Sequence, residues 1–271
     1  ISFKGIIEGV ENTNYFLTTT EGKFILTIFE DRVKTADLPF YESLLEHLYK
    51  SHINIPYFIP NKSQNSFFTF KAKKGVIIPF FEGEPKLSNF VPNDLVELGT
   101  FLANFHLAGQ DLTTTRKNPF DLDNCHKLYM NMYMRNHLDD DESSLLRNCL
   151  EQIMNKTPDL PSGIIHADLF PDNVFFINNK IEAIIDPYFS CSDSLIYDVA
   201  ICAAAWCFTE DNKFNSNLAL ALLKGYNSVR KFTQTEILMF RDYYLLATIR
   251  FFLTRVEDYY KSVEPEAINI K

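Results

Sequence analysis

The sequence HADLFPDN at residues 166–173, followed by IIDPYF at 184–189, carries the most information about the fold. Pro171 stops a helix from continuing through the first segment, so that segment is predicted to be a loop. Residues 174–177 and 181–185 are rich in β-branched and aromatic side chains, and a polar Asn-Asn-Lys turn separates them. This pattern predicts a β-hairpin that begins just after the loop and ends just before Asp186.

Polar side chains stand at both ends of this predicted hairpin. Asn173 precedes the first strand and Asp186 follows the second, so both are expected to face one site. Amide and carboxylate oxygens are suitable ligands for Mg²⁺. The loop also matches the H-x-D-L-x-x-x-N pattern of phosphoryl-transfer enzymes, in which Asp168 would accept a hydroxyl proton. The alternative is an accidental match, with Asp168 and Asp172 as ordinary turn residues.

Composition narrows the class of protein. The 271 residues carry a formal charge of −9, which argues against a nucleic-acid binder because such proteins present a basic face.

The longest nearly unbroken apolar run, residues 199–208, is too short to span a bilayer, and no signal peptide is visible. The chain begins with Ile1, so the natural N-terminus is expected to lie upstream. The five cysteines form no CxxC pair and are expected to be reduced thiols of a cytoplasmic protein.

Periodicity divides the chain into a β-rich part and a helical part. Strands are predicted at residues 2–7, 15–20, 24–29, 67–70 and 76–80, with a helix at 38–50. Further helices are predicted from Pro92 onward and at 125–136, 142–156, 194–208, 216–229 and 234–261. The fold class is therefore expected to be α+β, with an N-terminal β-rich lobe at 1–80, a connector at 81–84 and a helical lobe at 85–271.

Several segments together resemble a known superfamily. HADLFPDN, IIDPYF, EGVENTNYFL at 8–17 and YDVAICAAAWCF at 197–208 resemble the aminoglycoside-phosphotransferase-like kinases. KFILTIFEDRV at 23–33 and RFFLTRVEDYY at 250–260 are similar to the bacterial homoserine kinases of that fold. The resemblance implies a bilobal protein-kinase-like fold, ATP and Mg²⁺, and transfer of the γ-phosphate to the hydroxyl of L-homoserine, a small-molecule step of threonine biosynthesis.

The resemblance also implies roles for individual residues. Asp168 would be the catalytic base, and Asn173 and Asp186 would hold the metal. His166 would organise the catalytic loop rather than act as an acid or base. Asp198, which falls inside an apolar helix where an unpaired carboxylate would be costly, would anchor the loop through hydrogen bonds.

The nucleotide-binding segments depart from the protein-kinase pattern. The phosphate-covering loop lacks G-x-G-x-x-G, so main-chain N–H groups from Val10 to Asn14, including Glu11, Asn12 and Thr13, are predicted to contact phosphate, helped by the Asn and Thr side chains. The alternative is a plain β-turn. The strand position that usually carries lysine is Thr27, on the same face as Ile25, which would line the adenine pocket. Arg32 is the nearest candidate for the missing cation, but a solvated surface arginine is the favoured interpretation of this residue. The connector, including Phe80 and Phe81, would supply an apolar slot and main-chain hydrogen bonds for adenine.

The acceptor requires groups of both charges, because homoserine is a zwitterion. Arg250 and Arg255 are candidates for its carboxylate, since a guanidinium can bind both oxygens. Asp172 and Asp193 are candidates for its ammonium group. Each of these four residues could instead form an ordinary ion pair.

Two other functions stay open from the sequence. A kinase of the same fold could act on an aminoglycoside, choline or a sugar, and the acidic run at 139–142 would suit a polycation. A solvated helix start is the favoured interpretation of that run, because acids complement the helix dipole. A pseudokinase is the second alternative because of Thr27, although Asp168, Asn173 and Asp186 are all present.

Overall fold

The computed structural model describes residues 1–6, 12–30, 33–156 and 158–263. Its architecture is α+β and bilobal, as predicted. Within the described ranges, no helix combines the length and the apolar content needed to cross a bilayer.

A five-stranded antiparallel sheet forms the N-terminal part, with the strand order β1-β2-β3-β5-β4. Its strands are β1 (Ser2–Ile6), β2 (Asn12–Thr19), β3 (Gly22–Phe29), β4 (Phe68–Phe70) and β5 (Lys73–Pro79). The β-branched and aromatic residues of β3 pair with both β2 and β5, which makes β3 the central strand. Helix α1 (Leu38–Lys50) follows β3 and buries Tyr41, Leu44, Leu45 and Leu48.

The chain turns sharply after this sheet. Gly83 has φ +101°, and an added Cβ would lie 2.8 Å from the Phe176 carbonyl oxygen, so only glycine fits. The short strand β6 (Glu84–Pro85) follows and pairs with the later hairpin. Glu84, the last residue of the predicted connector, therefore already belongs to a strand. The division at 81–84 stays a prediction.

Helices dominate the remaining chain. They are α2 (Pro92–Ala108), α3 (Leu122–Met134), α4 (Asp140–Met154), α5 (Leu195–Trp206), α6 (Ser216–Val229) and α7 (Gln234–Val263). Asp139 caps α4 by accepting a hydrogen bond from the Glu142 main-chain nitrogen at 2.7 Å, and Glu142 bonds back to Asp139. The acidic run at 139–142 is thus a helix start, because carboxylates satisfy the first free N–H groups of a helix.

Two small antiparallel sheets frame the motif at residues 166–173. Strand β7 (Ser162–Ile165) precedes the motif and pairs with β10 (Cys191–Ser194). The predicted hairpin is present as β8 (Val174–Ile177) and β9 (Lys180–Ile184). Asn178 and Asn179 both have positive φ, as a tight hairpin turn requires. The motif therefore lies between two pairs of strands whose registers fix its ends.

Candidate active site

Residues 166–170 form a loop whose main chain is held by a buried carboxylate. Ala167 adopts a left-handed conformation, with φ 65°, that alanine rarely takes. Asp198 of α5 is fully buried, and its Oδ2 and Oδ1 accept hydrogen bonds from the His166 and Ala167 main-chain nitrogens at 2.7 and 2.9 Å. The predicted anchoring role of Asp198 is confirmed.

Asp198 is itself held by the helical core. His106 of α2 is buried, and its Nε2 lies 3.1 Å from Asp198 Oδ2, while its Nδ1 lies 2.7 Å from the Tyr226 hydroxyl of α6. Burial alone would raise the pKa of Asp198, but the hydrogen bonds and charge of its neighbours, led by His106, hold that pKa below its usual value. The carboxylate therefore stays ionised and keeps accepting hydrogen bonds from the loop.

His166 is fully buried and uses both ring nitrogens on the main chain. Nε2 donates to the Ile185 carbonyl at 3.2 Å, and Nδ1 accepts from the Asp168 main-chain nitrogen at 3.3 Å. Burial lowers the pKa of His166, which keeps the ring neutral. These contacts are those of a loop organiser, because neither nitrogen is left to exchange a proton with a ligand.

Asn173 connects the loop to the hairpin. Its Nδ2 donates to the Asp168 carbonyl at 2.8 Å and lies 3.5 Å from Asp168 Oδ2. Its main-chain carbonyl accepts from the Ile185 nitrogen at 2.9 Å, directly before Asp186. The amide nitrogen is occupied by these contacts, so Oδ1 is the atom suited to a cation.

Asp186 follows β9 in a left-handed conformation, with φ 55° and ψ 58°. The next residues form a short turn, where the Tyr41 hydroxyl of α1 donates to the Tyr188 carbonyl at 2.5 Å. The described ranges contain no cluster of three or more histidine, cysteine or acidic side chains suited to a metal. An Asn173 oxygen and an Asp186 carboxylate nevertheless fit Mg²⁺, which commonly takes one or two protein oxygens and completes its shell with phosphate and water.

Two large side chains from distant helices reach the main chain of the loop. Trp206 at the end of α5 is fully buried, and its Nε1 donates to the Leu169 carbonyl at 2.8 Å. Arg250 of α7 is only 2% exposed, its Nη1 donates to the Ala167 carbonyl at 2.5 Å, and its Nη2 lies 3.9 Å from Asp168 Oδ1. Arg250 thus lies against the loop itself, and its contact with an acceptor carboxylate stays a prediction.

Of the residues predicted to bind nucleotide, four lie on strands of the N-terminal sheet: Asn12, Thr13, Ile25 and Thr27. Val10, Glu11 and Arg32 lie outside the described residues. Asn12 Oδ1 accepts from the Glu30 main-chain nitrogen at 3.3 Å, and Thr13 Oγ1 donates to Glu30 Oε1 at 2.7 Å. These side chains tie β2 to the end of β3, and phosphate contact by this segment stays a prediction.

Thr27 is buried, and its hydroxyl donates to Asn14 Oδ1 at 2.8 Å. The hydroxyl at the usual lysine position is therefore engaged between two strands. Ile25 lies two residues away on β3, half-buried and opposite Ile78. Phe80 stands edge-on to Phe16 with ring centroids 5.2 Å apart. The half-buried ring of Phe81 follows it.

The predicted acceptor residues are not brought to one place by any described contact. Asp172 and Arg255 are exposed. Asp193 Oδ2 accepts from Asn118 Nδ2 at 2.6 Å and Oδ1 from the Ser194 main-chain nitrogen, and burial raises the pKa of this carboxyl. Contact of Asp172, Asp193 or Arg255 with an acceptor stays a prediction.

Sequence reasoning missed His106, Tyr226 and Trp206 as supports of the loop. Each lies in an apolar helical stripe, where the pattern alone indicates core packing. A polar atom on such a stripe needs a buried hydrogen-bond partner. This requirement is the feature of the sequence that could have indicated a supporting role for these residues.

Comparisons with known proteins show which sequences and folds this chain resembles. The phosphotransferase enzyme family matches residues 2–232. A homoserine kinase of Rhizobium meliloti (strain 1021) is 38% identical over 100% of this chain and 83% of its own length. A homoserine kinase of Rhodopseudomonas palustris (strain BisA53) is 42% identical over 95% of this chain and 79% of its own length.

Among solved structures, the amicoumacin kinase hAmiN, in complex with AMP-PNP, Ca2+ and Ami, has a TM-score of 0.77 at 13% identity, covering 94% of this chain and 81% of its own. The chain belongs to the phosphotransferase enzyme family and, within it, to the ATP-dependent homoserine kinases.

Proposed function

We propose that this protein transfers the γ-phosphate of ATP to the hydroxyl of L-homoserine, with Mg²⁺ as the metal. Similarity to homoserine kinases over the whole chain carries this proposal. The loop geometry supports it, because Asp168 is held beside Asn173 at the start of the hairpin. All five cysteines are free thiols, which suits a reducing compartment such as the cytoplasm.

Asp168 is the proposed catalytic base. Its carboxylate accepts the proton of the homoserine hydroxyl while the hydroxyl oxygen bonds to the γ-phosphorus. The bond from that phosphorus to the β–γ bridging oxygen breaks, and ADP leaves. The side chain of Asp168 is 21% exposed, so it reaches solvent and a bound acceptor while its main chain stays fixed.

Asn173 and Asp186 are the proposed metal ligands. Bound Mg²⁺ neutralises charge on the phosphate oxygens. Asn173 offers Oδ1 because its Nδ2 is committed to Asp168, and Asp186 offers a carboxylate one residue after the Ile185 hydrogen bonds. The chain has a net charge of −9 and would repel an anionic nucleotide. Mg²⁺ held by Asn173 and Asp186 would offset that repulsion.

The N-terminal sheet is the proposed nucleotide platform. Ile25, Phe80 and Phe81 would flank the adenine ring, and main-chain groups around Asn12 and Thr13, with Val10 and Glu11 before them, would contact phosphate. The edge-on contact of Phe16 with Phe80 supports the adenine part of this proposal, because it fixes the ring that would border the base.

An acceptor panel tests the proposed function. Purified protein with MgATP is offered homoserine, serine, choline and kanamycin, and ADP release is measured for each. We expect homoserine to give by far the highest kcat/KM. Selective turnover of another acceptor would overturn the substrate, and absence of Mg²⁺-dependent turnover with all four would favour a pseudokinase.

A further inference from the structure

We propose that Arg250 is a positioning residue for the catalytic loop: its guanidinium holds the Ala167 carbonyl and thereby sets the direction of the Asp168 side chain. The proposal rests on the proposed function only in taking Asp168 as the base. It assigns to Arg250 a role different from binding the acceptor carboxylate.

The two peptide units that flank Ala167 are held by different side chains. Its left-handed conformation, with φ 65°, turns the chain so that its N–H and C=O groups meet different partners. The N–H donates to Asp198 Oδ1 at 2.9 Å, and the carbonyl accepts from Arg250 Nη1 at 2.5 Å. Asp198 therefore fixes the peptide unit before Ala167, and Arg250 fixes the unit after it. That second unit leads directly into Asp168.

The charged guanidinium of Arg250 is buried among aromatic rings. Arg250 is 2% exposed, and its guanidinium carbon lies 4.8, 5.5 and 4.6 Å from the ring centres of Phe120, Phe189 and Phe251. A guanidinium stays charged even when buried, so its desolvation is costly unless aromatic faces and acceptors compensate. The three rings and the Ala167 carbonyl provide part of that compensation, while Nε is buried without a hydrogen-bond partner among the described residues. The same contacts restrict the side chain to one orientation.

The charged groups of Asp168 and Arg250 differ in their exposure to solvent. Asp168 Oδ1 lies 3.9 Å from Arg250 Nη2, yet the Asp168 side chain is 21% exposed and that of Arg250 only 2%. A ligand approaching from solvent would meet the carboxylate and not the guanidinium. Arg250 is thus placed to act through Asp168, with its positive charge drawing the carboxylate into a fixed orientation.

The test uses three variants of full-length protein. Arg250→Met removes the charge and the donors, while Arg250→Lys keeps a charge and one donor nitrogen. Arg241→Met is the matched control, because Arg241 is exposed on the same helix. We expect Arg250→Met to lower kcat by about 10- to 100-fold, since small misplacement of a catalytic group has effects of that order. KM for ATP and for homoserine should stay within about twofold. Arg250→Lys should recover part of kcat, and Arg241→Met should match the parent.

A double-mutant cycle separates positioning from other roles. If Arg250 acts through Asp168, adding Arg250→Met to Asp168→Asn should cost less than about a further threefold in kcat. Multiplicative losses would overturn the proposal. A raised homoserine KM at unchanged kcat would also overturn it, because that result identifies a carboxylate receptor. If the parent turns over a different acceptor, the proposed substrate fails and the cycle is run with that acceptor.

Hydrogen exchange provides a readout that needs no turnover. In the unliganded protein, Arg250→Met should speed amide exchange in the peptide containing residues 166–169, and Arg241→Met should not. Unchanged exchange in Arg250→Met would overturn the proposal even if no acceptor is turned over. Should Arg250→Met not fold, Arg250→Lys and Arg250→Gln carry the same measurements. Each lacks the planar fork that reaches both the Ala167 carbonyl and Asp168, so each should still lower kcat and speed exchange, by less than the loss of all donors would. Parent-like kcat and exchange in both would overturn it.

Discussion

At the scale of single residues, Asp198 explains how Ala167 keeps an uncommon conformation. A left-handed non-glycine residue costs roughly 1–3 kcal/mol. A hydrogen bond to a charged group stabilises by about 1.5–3 kcal/mol, and Asp198 accepts two from consecutive residues of the loop. The two bonds outweigh the conformational cost, so the loop is formed before any substrate binds.

Asp168→Asn is the direct test of the catalytic base. Asparagine is nearly the same size as aspartate but cannot accept the hydroxyl proton. We expect kcat to fall about 10²–10⁴-fold while the Kd for ATP, measured by calorimetry, changes little. Asp159→Asn, an exposed position before β7, is the control and should turn over normally. Near-parental kcat in Asp168→Asn would remove the residue from the mechanism.

Some of these residue roles could be predicted from sequence and others could not. A carboxylate within the apolar stretch at 197–208 demands a buried partner, and the sequence alone predicts that much. The resemblance implied that this partner is the loop at 166–173, and nothing in the sequence identified His106, which lies 92 residues away. Arg250 and Ala167 form a hydrogen bond although 83 residues separate them in the sequence, and the burial of Arg250 depends on rings from three separate segments. No local sequence pattern predicts such long-range contacts.

At the scale of helices and strands, the crossing of α2 and α6 positions the support of the loop. A Cβ at Gly99 would lie 2.2 Å from the Leu222 carbonyl oxygen, and one at Gly225 would lie 2.3 Å from that of Val96. The two glycines therefore allow the helix backbones to touch. This close approach accompanies the 2.7 Å contact between His106 and Tyr226.

Gly99→Ala should destabilise the protein. Alanine favours a helix over glycine by roughly 0.5–1 kcal/mol, but overpacking against an unyielding backbone costs about 1–3 kcal/mol. We expect the free energy of unfolding, measured in urea, to fall by about 1–2 kcal/mol. Gly5→Ala is the matched control, since the nearest atom to its added Cβ is 3.9 Å away. Equal unfolding midpoints for parent and Gly99→Ala would contradict this packing argument.

Element bounds were predictable where the hydrophobic period was long. Helices α1 and α6 begin and end as predicted, at Leu38–Lys50 and Ser216–Val229. Strands β6 and β10 were missed because they have only two and four residues, and the CSDS sequence of β10 lacks β-branched and aromatic residues. Their pairing with distant strands, not their own composition, makes them strands.

At the scale of the whole molecule, the buried loop supports should make stability depend on pH. Burial lowers the pKa of His166 below its unfolded value, near 6.5. Below that pH the unfolded chain takes up a proton that the folded ring resists, so stability falls as pH falls. The lowered pKa of Asp198 acts in the same direction in more acidic solution, below about pH 4.

Urea unfolding from pH 8 to pH 5 measures this dependence. We expect the free energy of unfolding to decline below about pH 6.5 in the parent and to decline less in His166→Gln. His52→Asn is the control, because His52 is exposed and asparagine tolerates its left-handed conformation, with φ 63°. A parallel decline in the parent and His166→Gln would show that His166 does not contribute to it.

Trp206 is the only tryptophan in the sequence, and its indole N–H is bonded to the Leu169 carbonyl, one residue after Asp168. Intrinsic fluorescence of this protein excited near the red edge of absorption therefore originates from a single chromophore in contact with the loop at 166–170. Any ligand that shifts the loop changes the surroundings of that indole, so emission intensity or wavelength serves as a label-free optical signal for titrations and stopped-flow experiments.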